Sequence, residues 1–196
     1  LENPEFLGYG GGEVYGPKGS ARVPGYGGDP NSGLANQPRE VGFASGCAVL
    51  LRRAALERVG GFDPRYFMYE EDVELSIRLR SAGYAIRYVP GALVKHRGQG
   101  SQRSKEEPFM TMDDPRNPRL PFFAYHVVRN RLITAATHAK GLEKVTFWAA
   151  FPAYLTIRLI KYVAYGRVDA VKALASAVLS FRRDAGRPFV NELAGG

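Results

Sequence analysis

Three consecutive carboxylates, Glu70, Glu71 and Asp72, stand near the head of the stretch YFMYEEDVELSIRLR, residues 66–80. Val73 and Ile77 share one helical face, Leu75, Leu79 and Ala82 share another, and Gly83 stands where a left-handed cap is expected. The acids therefore fall in the first turn of a predicted helix. Unsatisfied N–H groups and the macrodipole favour negative charge there, which predicts carboxylates that stay ionised at neutral pH and can accept a proton or hold a cation. Acidic first turns are also ordinary helix starts, so the triplet alone leaves both meanings open.

The elements that must position these acids follow from the flanking pattern. Residues 42–51, GFASGCAVLL, fit a buried strand, and residues 53–59 fit a short helix closed by Gly60 and Gly61. Phe62, Asp63 and Pro64 predict a turn, with Asp63 capping locally. After Gly83, YAIRYVP alternates like a half-exposed strand, and residues 92–96 continue as a second extended piece. Strand, helix, acidic helix and strand in that order indicate an α/β layer rather than a bundle or a sandwich.

Residues 1–37 are rich in Gly and Pro and read as looped chain with little core of its own. Tyr9, Tyr15 and Tyr26 in this segment either line a sugar-binding surface or serve as packing points. The glycines lack the spacing and the following Lys-Ser/Thr of a phosphate-cradling P-loop. Residues 97–121 form a long polar connection of the kind that is either a functional lid or disordered, and residues 122–138 resume a helical pattern stopped by Gly141. Residues 145–157 are strongly apolar, but Pro152 interrupts them, and a spanning helix needs about 20 apolar residues. Two amphipathic helices, 143–165 and 168–183, are expected instead. Their Arg158, Lys161, Arg167, Lys172, Arg182 and Arg183 either face anionic lipid headgroups or decorate a helical hairpin packed on the core.

Composition sets the outer bounds. A chain of 196 residues, 45% hydrophobic and 23% charged, is too apolar for a disordered protein and large enough for one domain with a core or for a large piece of an enzyme. The single cysteine, Cys47, excludes an intramolecular disulfide and suits a reducing, cytoplasmic compartment, and residues 1–12 lack the basic start and apolar core of a signal peptide. A formal net charge of +8 suits an anionic partner such as a nucleotide diphosphate, an acidic membrane surface or a nucleic acid. The basic residues are dispersed among acids with no recognisable module, which argues against nucleic acid.

The ordered set of motifs resembles a known family. SGCAVLLRR, GGFDPRYFMYEEDVEL, RLRSAGY and YVPGALVKH together resemble the second half of the family 2 glycosyltransferases, especially the bacterial rhamnosyltransferase-like branch. GYGGDPNSGLANQPREV upstream resembles their approach loop, and FAYHVVRNRLI downstream resembles their post-catalytic helix, so the resemblance spans roughly residues 25–140. It implies part of a GT-A fold, a Rossmann-related mixed sheet layer followed by C-terminal amphipathic helices. It implies an acceptor-side half at 41–140, which leaves the Gly/Pro-rich loop at 1–40 before it and, after it, the helical segment at 141–196 that either meets a membrane interface or packs on the core.

The reaction implied is inverting transfer of a sugar from a nucleotide diphosphate to an acceptor hydroxyl, with Asp72 as the base. An acceptor hydroxyl is too weak an acid to ionise beforehand, so a carboxylate must take its proton as the C–O bond forms. The resemblance places Glu71, Gly46 and Ser45 on the acceptor side, with Glu71 orienting Asp72 or binding an acceptor hydroxyl. It places His96, Arg97 and Arg103 at the donor diphosphate, and Arg78 and Arg80 either at phosphate or paired with the acidic turn. A divalent metal, Mg²⁺ or Mn²⁺, is expected in the complete enzyme; His96 suits Mn²⁺ as a ligand, whereas Mg²⁺ prefers oxygen. The expected partners are a nucleotide-diphosphate sugar, a glycan or lipid-linked acceptor and an anionic membrane at the inner face of the cell envelope.

One departure qualifies these expectations. No Asp-x-Asp metal motif occurs in the chain, which therefore looks truncated or like a separately encoded acceptor half, with robust transfer not expected from it alone. A noncatalytic module that binds acceptor or polysaccharide is the alternative, and strong metal-dependent binding of nucleotide sugar would argue against it.

Overall fold

The computed structural model describes residues 7–15, 20–96, 110–184 and 189. The Gly-rich start forms a small antiparallel ribbon, β1 (Glu13–Tyr15) with β2 (Ser20–Arg22), followed by one helical turn, α1 (Gly33–Asn36). Next come β3 (Arg39–Glu40), α2 (Arg53–Val59), α3 (Glu71–Ser81) and β4 (Arg87–Tyr88), and β3 pairs antiparallel with β4. The chain ends in three longer helices, α4 (Leu120–His138), α5 (Gly141–Ala164) and α6 (Val168–Asp184). The fold is mixed α/β, dominated by helix, and its described sheets are two-stranded ribbons.

Two cores hold these elements. Ala55 of α2 packs on Leu75 and Leu79 of α3, as the helical spacing of those leucines predicts. Leu120, Val128 and Leu132 of α4, Phe147, Phe151 and Tyr162 of α5, and Leu174 of α6 form the larger core. α2 ends on Gly60 at φ 85°, and the chain leaves α3 through Gly83 at φ 89°, so both stops fall where the glycines predict them.

The expected strand at 42–51 does not form. Phe43 makes one isolated bridge to Gly12, and beyond it Cys47 is exposed, as is Leu50 at 98%. The apolar run reads as a strand only if another strand lies beside it. Here its peptide groups are engaged otherwise: Ala44 N–H donates to Ser76 Oγ (3.2 Å), Gly46 N–H to Asp72, and Ala48 N–H to the Ser45 carbonyl in a turn. The expected strand after Gly83 shrinks to the two residues of β4, and 92–96 is irregular and exposed.

Pro152 does not break α5, which runs through it for 24 residues. An interior proline costs about 3 kcal/mol. Burying Phe147, Phe151 and Tyr162 on the same helix contributes about 1.5–3 kcal/mol each, so the packing wins.

The basic residues at the end of α5 and just beyond it turn toward protein partners. Arg158 and Lys161 bind Asp113 at 2.6 and 3.0 Å, and Arg167 binds Asp169 at 2.8 Å and the carbonyls of Pro115 and Asn117. Only Lys172, Arg182 and Arg183 of the predicted lipid-facing set are exposed. The outward stripe of α5 is apolar instead, carrying Leu142, Val145, Ile157, Ile160 and Val163. No helix among the described residues is long and apolar enough to cross a membrane.

Candidate active site

The acidic helix begins with an unusual turn. Tyr69 and Glu70 both adopt left-handed backbone conformations, φ 66° and 68°, and neither is glycine. Such residues cost on the order of 1–3 kcal/mol each and persist only where their surroundings over-determine them. The surroundings here are the polar residues of α4. Asn130 Nδ2 donates to the carbonyls of Met68 and Tyr69, both at 2.8 Å, and Arg131 Nη2 donates to Glu70 Oε1 at 3.0 Å. Arg129 Nη1 reaches the Arg65 carbonyl at 2.8 Å, and the Tyr66 hydroxyl lies 2.9 Å from Thr134 Oγ1. One turn further along α4, His138 Nε2 is 2.9 Å from Glu74 Oε1. Burial opposes ionisation of Glu74, but hydrogen bonds from His138 and Arg78 outweigh it and lower its pKa.

Asp72 follows this turn. Gly46 N–H donates to its Oδ2 at 2.9 Å and Val73 N–H to its Oδ1 at 2.8 Å, fixing the carboxylate from both sides. A carboxylate oxygen has two acceptor positions, so among the described residues each keeps one for an incoming proton. Ser45, half-buried, flanks Gly46 and donates through Oγ to Cys47 Sγ. Tyr9 closes one side. Its hydroxyl donates to the Phe43 carbonyl and accepts from Gly12 N–H, and burial foremost, with the Asp72 charge as a further cause, pushes its pKa up to about 12.

Glu71 stands beside Asp72 with Oε2 buried and unpartnered among the described residues. Burial raises its pKa, and the charges of Asp72 and Glu70 add to the effect. Glu70 is raised by burial too, against the pull of Arg131. The helix-start argument for easily ionised carboxylates therefore fails for these two, because desolvation is the larger influence. Next to them runs a row of rings. Tyr69 packs edge-on against Phe122 and Phe123, Phe122 lies 4.4 Å from His126, and His126 lies 5.5 Å from the exposed ring of Phe67.

Sequence reasoning singled out Asp72, Gly46, Ser45 and Glu71, and these gather at the head of α3. It missed Asn130, Arg131, Thr134 and His138. In the sequence they fall with Thr137 on one polar arc of the helix's C-terminal half, a pattern that reads equally as a solvent-facing side. Arg78 proves structural, bonded to Glu74 and to the carbonyls of Val59, Gly60 and Gly61, while Arg80 is exposed. His96 is exposed in irregular chain, and Arg97 and Arg103 lie outside the described residues. No group of three or more His, Cys, Asp or Glu among the described residues is placed to hold a metal ion.

Comparison with known proteins shows the family. A stretch of 63 residues is 57% identical to N-acetylglucosaminyl-diphospho-decaprenol L-rhamnosyltransferase of Mycobacterium tuberculosis (strain H37Rv), covering 32% of this chain and 20% of that protein. Another of 64 residues is 41% identical to Rhamnosyltransferase WbbL of Escherichia coli (strain K12), covering 33% and 24%. The matched stretches thus span about a fifth to a quarter of these relatives. No solved structure matches the chain. Residues 31–164, which include the acidic turn, Gly46 and the polar residues of α4, match the family described as Glycosyl transferase family group 2, and the chain belongs to that family.

Proposed function

We propose that this chain carries the acceptor side of an inverting glycosyltransferase that moves a sugar, with L-rhamnose the candidate favoured by the relatives' names, from a nucleotide diphosphate to a glycan hydroxyl on a lipid-linked acceptor. The observation that carries the reading is the Asp72 carboxylate, held by two backbone N–H groups and free on the remaining lone pairs. Asp72 takes the acceptor proton as the acceptor oxygen bonds to the anomeric carbon. On the opposite face the bond from that carbon to the diphosphate oxygen breaks, and the nucleoside diphosphate leaves with the bonding pair. One carboxylate suffices because direct displacement forms no covalent sugar intermediate.

Glu71, Ser45 and the Gly46 backbone line the acceptor side, and the exposed face of Phe67 offers a ring on which a sugar can stack. His96, Arg97 and Arg103 contact the donor diphosphate in this reading, His96 directly or through its metal. A partial GT-A fold goes with it, with residues 41–140 as the acceptor half and 141–196 as the membrane-facing helices. Packing makes α4 common to both. The apolar outward stripe of α5 supports a place at an anionic membrane surface, where a lipid-linked acceptor would be met.

The reading is tested by incubating the intact protein with a nucleotide-diphosphate rhamnose and a lipid-diphosphate N-acetylglucosamine acceptor. A product heavier by one deoxyhexose, with inverted anomeric configuration, is expected. Retention of configuration, or donor hydrolysis with no glycosylated product, contradicts it.

A further inference from the structure

We infer that Asn130 and Arg131 of α4 are positioning residues for the base: they hold the left-handed Tyr69–Glu70 turn and thereby set where the Asp72 carboxylate points. The inference rests on the reading of Asp72 as base. Neither residue hydrogen-bonds Asp72 itself, so neither acts on the reacting atoms directly.

The geometry runs through the backbone. The chain passes from the buried Tyr66, anchored on Thr134, to Asp72 by way of two consecutive left-handed residues. The Glu70 carbonyl accepts the first hydrogen bond of α3, from Glu74 N–H at 2.9 Å, so the orientation of Glu70 fixes where the helix starts. A relaxed Tyr69 or Glu70 would turn that start about the helix axis and draw the Asp72 carboxylate away from Gly46 N–H. Asn130 opposes this at two points, one amide nitrogen serving two successive carbonyls, and Arg131 opposes it at the Glu70 side chain.

The chemical fit is selective. Asn130 is entirely buried, where leucine would fill a similar volume, yet only a side chain with two N–H donors can meet both carbonyls. Its Oδ1 is engaged as well, accepting from Arg129 Nη1 at 2.7 Å, which settles which way the amide faces. Arg131 is steadied from behind by Tyr154 of α5, whose hydroxyl lies 3.3 Å from Nη1 and whose ring centre is 5.5 Å from the guanidinium. Tyr154 in turn stacks under Arg158, which is bound to Asp113. A continuous line of polar contacts thus joins α5 to the acidic turn.

The test compares the intact protein with Asn130→Leu, Asn130→Ser, Arg131→Met, Arg131→Lys and Asp72→Asn, measuring kcat and both KM values per folded molecule, with the folded fraction taken from circular dichroism at the assay temperature. Small misplacements of a reacting group cost up to roughly a hundredfold in rate. Asn130→Leu and Arg131→Met are expected to lower kcat by about ten- to a hundredfold while both KM values stay within about threefold. Arg131→Lys is expected to recover much of the loss, because it restores the charge opposite Glu70. A merely structural role lowers the folded fraction and leaves kcat per folded molecule within about twofold of the parent, and that result overturns the inference. Asn130→Ser provides the same test should the leucine variant not fold. Full turnover by Asp72→Asn overturns the base reading itself, whereas an inactive Asp72→Asn beside normal Asn130 and Arg131 variants overturns this inference alone.

Discussion

Glu71 is the residue at which the site's electrostatics can be read most simply. Burial raises its carboxyl pKa above the ordinary value of 4.5, and its Oε2 has no described partner. A carboxyl raised on folding stabilises the native state below its unfolded pKa, and that contribution is lost as pH rises through the folded value. At neutral pH the ionised, partly desolvated Glu71 therefore works against folding. Glu71→Gln is expected to raise the melting temperature at pH 7, with the gain shrinking toward zero as the pH approaches 4. Melting curves across that range check this; a gain that grows on acidification contradicts the assignment. Acceptor KM in the same variant is expected to rise while donor KM holds, since the proposed function puts Glu71 on the acceptor side.

At the scale of elements, the helices were legible and the strands were not. α2 and α4 sit within two residues of their predicted bounds, and α3 starts at the acids and ends before Gly83 as expected, because each carries a local signal: apolar residues at helical spacing and a glycine past the end. The run at 42–51 carries no such local signal. Its apolar residues fit a strand only given a neighbour to pair with, and in the described chain Gly46 is bonded instead to the Asp72 side chain. Asp72 and Gly46 were legible through the ordered motifs around them. The α4 contacts were not, because Asn130 and Met68 are 62 residues apart and nothing in either stretch names the other. The left-handed turn escaped for a related reason. Tyr69 and Glu70 carry no glycine to announce a positive φ, and their conformation depends on hydrogen bonds from a distant helix.

Over the whole molecule, α5 presents two different faces. Its inner face carries Tyr154 and Arg158 toward the acidic turn, and its outer face is an apolar stripe with Ile157 67% and Ile160 63% exposed. Because Arg158, Lys161 and Arg167 are turned inward onto protein partners, membrane association should depend more on this stripe than on salt. Burying an isoleucine contributes about 1.5–3 kcal/mol, so replacing Ile157 and Ile160 together with Glu is expected to weaken binding to phosphatidylglycerol-containing vesicles by at least about tenfold. Vesicle sedimentation at low and high salt measures this. Equal binding by the double variant contradicts a role for the stripe.

The account stands most directly on Asp72 as the base, and one comparison tests it. In the intact protein, Asp72→Asn keeps the shape of the side chain and an oxygen able to accept from Gly46 N–H, but loses the capacity to take a proton. Its turnover is expected to fall by about a hundredfold to ten-thousandfold, with donor affinity and melting temperature close to those of the parent. Turnover within a few-fold of the parent, with the variant folded and donor-bound, would contradict the claim.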